Sequence, residues 1–206
     1  MVVIPFLIPL VNLVKRKIAL PWFKEAQHEV LDLLRDAGFS RSPYKGTPLD
    51  HHRITLFRYQ RFCWKRWPFF DAFLVPKLRS NHLTQKMDVV FRCPDTGESV
   101  EGIAGRAFRT GDTVSVVGLP DASSGDISES DIQEYADSTF VSADWVRENQ
   151  PHARSYMGIP IRIGGRISWV LVVDSREANS EVALNRIAKR YSILFNPFMR
   201  FLENMP

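Results

Sequence analysis

The chain has 206 residues, of which 45% are hydrophobic and 24% charged, a balance that suits one globular domain with a substantial core. Its two cysteines, Cys63 and Cys93, argue against a disulfide framework and for a reducing compartment such as the cytoplasm, and neither sits in a CxxC pair or a metal-ligand spacing. Charge is uneven: residues 1–92 carry 16 Lys/Arg against 7 Asp/Glu, and residues 93–206 carry 11 against 16, within a net charge of +4. A basic amino-terminal half suits contact with anionic lipid, nucleic acid or an acidic partner.

The chain opens MVVIPFLIPLVNLV and then turns basic at Lys15, Arg16 and Lys17. This apolar run is shorter than the roughly 20 residues of a spanning helix, and Pro5 and Pro9 interrupt it. A signal peptide carries its positive charge before the apolar run, whereas here it follows. Two readings stand for residues 1–17: an anchor at the inner face of a membrane, which we prefer, and an apolar arm packed on protein. Residues 1–20 are therefore set apart from a domain spanning 21–206 that includes both terminal helices.

Residues 21–37 read as an amphipathic helix, with Phe23, Ala26, Val30, Leu33, Leu34 and Ala37 on one stripe, Pro21 at its start and Gly38 past its end. Residues 39–50 read as a loop. His52–Phe62 has strand composition, with Ile54 and Leu56 on one face and Phe57 and Tyr59 on the other. From Cys63 to Leu83, Pro68 and Pro76 argue against long regular elements. Met87–Arg92 reads as a strand ended by a turn at Cys93–Gly97.

Glu101–Arg109 reads as a short helix ending near Thr110-Gly111, and Thr113–Gly118 as a short strand. Leu119–Ser130 is rich in Ser, Asp and Gly and reads as a mobile loop. Short helices follow at Asp131–Ala136 and Phe140–Asn149, the second anchored by Trp145. Ile159, Ile161 and Ile163 alternate with Pro160 and Arg162 as in a half-buried strand, Gly164-Gly165 makes a hairpin turn, and Ile167–Val173 suits a central strand covered on both faces. Leu184–Leu202 closes the chain as an amphipathic helix kinked at Pro197.

Three pieces of this order resemble GAF domains. GIAGRAFRTGDTVSVV (Gly102–Val117) looks like the family's G-x-x-G-x-x-x-x-T-G helix and following strand. MGIPIRIGGRISWVLVVDS (Met157–Ser175) looks like its paired strands, and Arg53–Tyr59 like its first strand. The resemblance implies an α/β (α+β) domain: a central antiparallel sheet of about six strands with helices on both faces, and a pocket between the sheet and the variable stretch Leu119–Arg154. It implies a sensory or dimerising module rather than an enzyme. The cyclic-nucleotide signature, the bilin-attaching cysteine and the cysteines of the methionine-sulfoxide reductase branch all have no counterpart in register.

Within the implied pocket, Arg106, Phe108, Tyr135, Phe140, Trp145 and Tyr156 are the candidate ligand contacts, because a heterocyclic or anionic ligand wants a stacking ring and a guanidinium. No cofactor can be named from the sequence, and no metal site is expected. His51-His52 reads as a pair of solvated loop histidines, and Asp121, Asp126, Glu129, Asp131 and Glu134 as a solvated acidic run without the spacing of a calcium loop. The segment RYQRFCWKRWPFFDAF (Arg58–Phe73) interleaves bases with aromatics; it reads as core rings first, a membrane or protein surface second, and a nucleic-acid surface last. The leading expectation is a GAF-like regulatory sensor that binds a small molecule or a partner, forms a homodimer through its terminal helices and touches a membrane through residues 1–17. The alternative is a protein-interaction domain whose pocket is filled by its own side chains. An enzyme using Cys63 or Cys93 is a third reading.

Overall fold

The computed structural model describes residues 25–44, 51–80, 88–94 and 100–190. The apolar opening segment, Phe23, most of the turn after Cys93 and the kink expected at Pro197 lie outside these residues. Six strands form one sheet: β1 (His52–Gln60), β2 (Phe73–Arg79), β3 (Phe91–Arg92), β4 (Val114–Val117), β5 (Ser155–Ile163) and β6 (Arg166–Ser175). Their spatial order is β3-β2-β1-β6-β5-β4, and every neighbouring pair is antiparallel. The helices are α1 (residues 25–38), α2 (Gly102–Thr110), α3 (Glu129–Thr139), α4 (Ala143–Asn149) and α5 (residues 181–190).

The two-residue side-chain period of the strands sorts the sheet into two faces. Ile54, Leu56, Met157, Ile159, Ile161, Trp169, Leu171 and Val173 pack under α1 and α5. Phe57, Leu74, Val170 and Val172 pack on the opposite face with Ala104 and Ala107 of α2. The expected facing of β1 and the two-sided burial of β6 are therefore seen. Gly164 and Gly165, at φ 57° and 81°, connect Ile163 to Arg166 in the two-residue hairpin that requires left-handed backbone at both positions. β6 lies between β1 and β5, and β5 between β6 and β4, so this hairpin is interior to the sheet.

Several elements differ from expectation. β2 falls where Pro68 and Pro76 argued against regular structure. The ladder shifts register between Leu56 and Phe57, and Pro76 sits at that irregularity, where its missing N–H costs the sheet least. The buried stripe of α1 is Gln27, Leu31, Leu34 and Gly38, while Ala26 and Leu33 face outward. The phase is set by partners: Gly38 lies inside the helix, and a Cβ there would stand 2.2 Å from Ile187 of α5. Phe140 does not begin a helix but ends α3 in the left-handed region at φ 59°, and its carbonyl accepts a hydrogen bond from the Gly102 N–H at 2.7 Å. Ser128 and Ser142 cap α3 and α4 by accepting from the Asp131 and Trp145 N–H groups. The stretch Leu119–Ser130 is knitted by local Ser and Asp hydrogen bonds and buries Leu119 and Ala122.

His52 is also not solvated. It is 5% exposed, and its ring stacks on Phe39 with centroids 3.9 Å apart. His51 stacks on Tyr44 at 4.1 Å.

Candidate functional site

The face of the sheet opposite α1 and α5 is only partly filled by α2. Gly158 of β5 permits that helix to lie close, since a Cβ there would be 3.0 Å from the Ile103 carbonyl oxygen and the Ala107 methyl. α3, α4 and the segment after them cover the rest and leave a cavity of about 230 Å³. Its floor is Arg53, Thr55 and Phe57 of β1, Tyr156 of β5, and Val172 and Asp174 of β6. Trp145 of α4 and residues 149–152 roof it, and Val89 and Phe91 wall it beside β3. The roof thus comes from within the stretch 119–154.

Alternation explains why charge sits on this floor. Arg53, Thr55 and Phe57 share one side of β1, so Arg53 must face the cavity if Phe57 is to reach the α2 core. Asp174 continues the Val170–Val172 side of β6, and Arg53 and Asp174 stand opposite each other in the β1–β6 ladder. The Arg53 Nε donates to Asp174 Oδ1 at 2.6 Å. Arg79, at the end of β2, adds a second guanidinium to the lining and is 7% exposed. His152 reaches the cavity from the roof; burial, then the charges of Arg176 and Arg53, hold its pKa below the usual histidine value.

Two tyrosines fix the inner wall. The Tyr135 hydroxyl donates to the Ala153 carbonyl at 2.9 Å and lies 2.8 Å from the Tyr156 hydroxyl. Burial raises the pKa of both; that of Tyr156 reaches about 12, with Asp174 adding to the effect. Both phenols therefore keep their protons at neutral pH and remain hydrogen-bond donors. A second cavity of about 430 Å³ lies beyond Phe91 and Trp145, beside Phe140, Ser142 and the ion pair of Arg66 with Glu101. A gap of about 40 Å³, lined by Phe91, Tyr135, Trp145 and Tyr156, adjoins the two.

The six candidates drawn from the sequence fall in different places. Trp145 and Tyr156 line the sheet-floored cavity, and Trp145 and Phe140 line the second. Tyr135 is fully buried behind Tyr156. Arg106 is exposed on α2 with its guanidinium 5.3 Å above the Phe140 ring. Phe108 stacks on Tyr59 at 4.8 Å and lines neither cavity. Arg53, Arg79, Asp174 and His152 were not anticipated. The available signal was charge on an apolar strand face at Arg53 and Asp174; Arg79 gave none, because β2 itself was hidden by Pro76.

Cys63 and Cys93 form no disulfide, both are buried, and neither lines the sheet-floored cavity. Among the described residues no group of three or more His, Cys, Asp or Glu is placed to hold a metal ion, and no helix is long and apolar enough to cross a membrane.

No protein-family model matches the chain, and no curated protein matches it. Solved structures similar to it include GAF domains. One is the GAF domain region of a protein from Geobacter sulfurreducens, at 16% identity and TM-score 0.48, covering 94% of this chain and 99% of that one. Another is NreA of Staphylococcus aureus mutated in its nitrate-binding site, at 13% identity and TM-score 0.45, covering 80% and 90%. A third is the free methionine-R-sulfoxide reductase of Neisseria meningitidis with its substrate, at 14% identity and TM-score 0.39, covering 84% and 89%. The fold of this chain stands on its own sheet order: six antiparallel strands with β1 and β6 at the centre and helices on both faces.

Proposed function

We propose that this chain is a GAF-like sensory module that binds a small anionic molecule in the cavity floored by β1, β5 and β6. The observation that supports this reading is the pair of guanidiniums, Arg53 and Arg79, on the lining of a partly apolar cavity. Guanidinium groups in a site shielded from water bind carboxylate or phosphate through paired, charge-assisted hydrogen bonds. Asp174 engages one edge of Arg53, orienting it and sparing it the full cost of lying idle near the interior. Trp145 and Tyr156 supply a ring and a phenol for the rest of the ligand, and 230 Å³ limits that ligand to metabolite size. Binding would be read out by ordering the roof, residues 145–152, on which a partner can act. In this reading the module binds and does not catalyse.

The test is calorimetry on the full chain with nitrate, inorganic phosphate, small dicarboxylates and mononucleotides. At least one of these probes binds, and Arg79→Gln and Trp145→Ala each weaken it tenfold or more while circular dichroism stays unchanged. Heat absent for every probe, or affinity unmoved by both changes, sinks the reading. Leu33 of α1 and Val182 of α5 are 67% and 71% exposed, and we propose that these helices pair in a homodimer. Light scattering that reports a monomer at high concentration refutes that.

A further inference from the structure

The connection from β1 to β2 carries three large aromatic side chains in water: Trp64 at 75%, Trp67 at 78% and Phe70 at 81% exposure. The loop beneath them is tied down. The Cys63 N–H donates to the Phe69 carbonyl at 2.9 Å, and the Arg66 guanidinium donates to the Val90 carbonyl at 2.7 Å and to the Glu101 carboxylate at 2.8 Å. Phe62 and Phe69 brace the tip: Phe62 meets Trp64 edge-on at 4.8 Å, and Phe69 meets Trp67 edge-on at 5.3 Å. The rings are held outward by a fixed base, so burying them costs little conformational entropy.

The loop's own charged groups are mostly basic. Residues 58–73 contain Arg58, Arg61, Lys65 and Arg66 and a single carboxylate, Asp71. That carboxylate is taken by Arg92, which holds its pKa below the usual range. Lys65 touches Asp88 at 2.6 Å, but both groups are about 60% exposed, and exposed pairs of this kind are weak enough to exchange for another anion.

We propose that this loop is a membrane-docking wedge, which sets Trp64, Trp67 and Phe70 into the interface of an anionic bilayer while Arg61 and Lys65 meet lipid headgroups. Trp favours the headgroup level because its ring is apolar and its N–H is polar, and each basic group near an anionic surface adds attraction that salt weakens. Stacking of single-stranded nucleic acid on the same rings is the competing outcome that the test separates. The wedge lies beside the cavity: Asp88, which Lys65 touches, and Phe91 line it.

The test is co-sedimentation of the full chain with vesicles of phosphatidylcholine, with and without phosphatidylserine. The chain binds the phosphatidylserine vesicles more tightly, and Trp64→Ser with Trp67→Ser and Phe70→Ser weakens that binding at least tenfold. Because residues 1–17 are present, a second measurement isolates the loop: quenching of tryptophan emission by brominated lipid. In a chain that already carries Trp22→Phe, the conservative double change Trp64→Phe and Trp67→Phe removes most of the quenching, since the two tryptophans that remain, Trp145 and Trp169, sit within the fold. Failure of the wild-type chain to bind phosphatidylserine vesicles overturns the proposal. So does equal quenching with and without the double change in that background, or preference of the loop for an oligothymidine over vesicles.

Discussion

Lowering the pH from 7.5 to 5 should destabilise this domain through His52. The ring stacks on Phe39, and each nitrogen has a defined partner: Nε2 lies 2.7 Å from Ser42 Oγ, and Nδ1 lies 3.0 Å from Ser175 Oγ. The Ser42 hydroxyl donates to Glu177, so it accepts from Nε2–H, and Ser175 donates to Nδ1. That network is complete for the neutral ring. Burial is the main cause that lowers the pKa of folded His52 from 6.5 to about 4, against a smaller opposing pull from Glu177. The unfolded chain therefore binds more protons than the folded one between these two values, and stability rises with pH across that window. It is fully present above 6.5 and lost as pH falls toward 4. The difference corresponds to about 3 kcal/mol, of which about 2 kcal/mol is gone by pH 5. The assay is urea unfolding at both pH values for the wild type and His52→Gln. The variant starts less stable, because it lacks the stack on Phe39, but it loses about 2 kcal/mol less on acidification. His51 and His152 are also held low by burial, and they contribute equally to both proteins. Parallel losses in wild type and variant would refute the argument, since they would show that His52 titrates alike folded and unfolded.

Two further outcomes test the walls of the site. Gly158→Ala should cost about 1–3 kcal/mol in denaturant melts, because the new methyl meets the Ile103 carbonyl and the Ala107 methyl at 3.0 Å and α2 must move away from β5. Tyr135→Phe should cost a similar amount, about 1–3 kcal/mol, by leaving the buried Ala153 carbonyl without its donor. It should also loosen ligand binding, since the Tyr156 hydroxyl loses the partner that positions it at the cavity wall.

Much of the scaffold was legible in the chain itself, and the reason is locality. The β5–β6 hairpin is written in alternating isoleucines, a Gly-Gly turn and an unbroken apolar run; α2 is written in its glycines and the Thr110-Gly111 end. Backbone conformations at Gly164, Gly165 and Gly111 follow from which residue can adopt positive φ, a property that needs no neighbour. Helices on both faces follow from β6 being apolar on both sides.

What tertiary structure decided was every feature whose energy lies between distant segments. Pro76 is admissible in β2 because the β1–β2 ladder skips Lys77 beside it. The buried stripe of α1 is turned toward Leu31 because Gly38 must meet Ile187. His52 became core because Phe39 and Ser175 reach it from either side. Arg53, Arg79, Asp174 and His152 came to share one lining only when β1, β2, β6 and the α4 exit converged. The aromatic segment after β1 has the composition of a core strand. It stays in water because its loop is bonded to Glu101 and Val90 with the rings pointing outward. Hydrophobic composition states that a residue gains by leaving water; only the packed fold states which residues have somewhere to go.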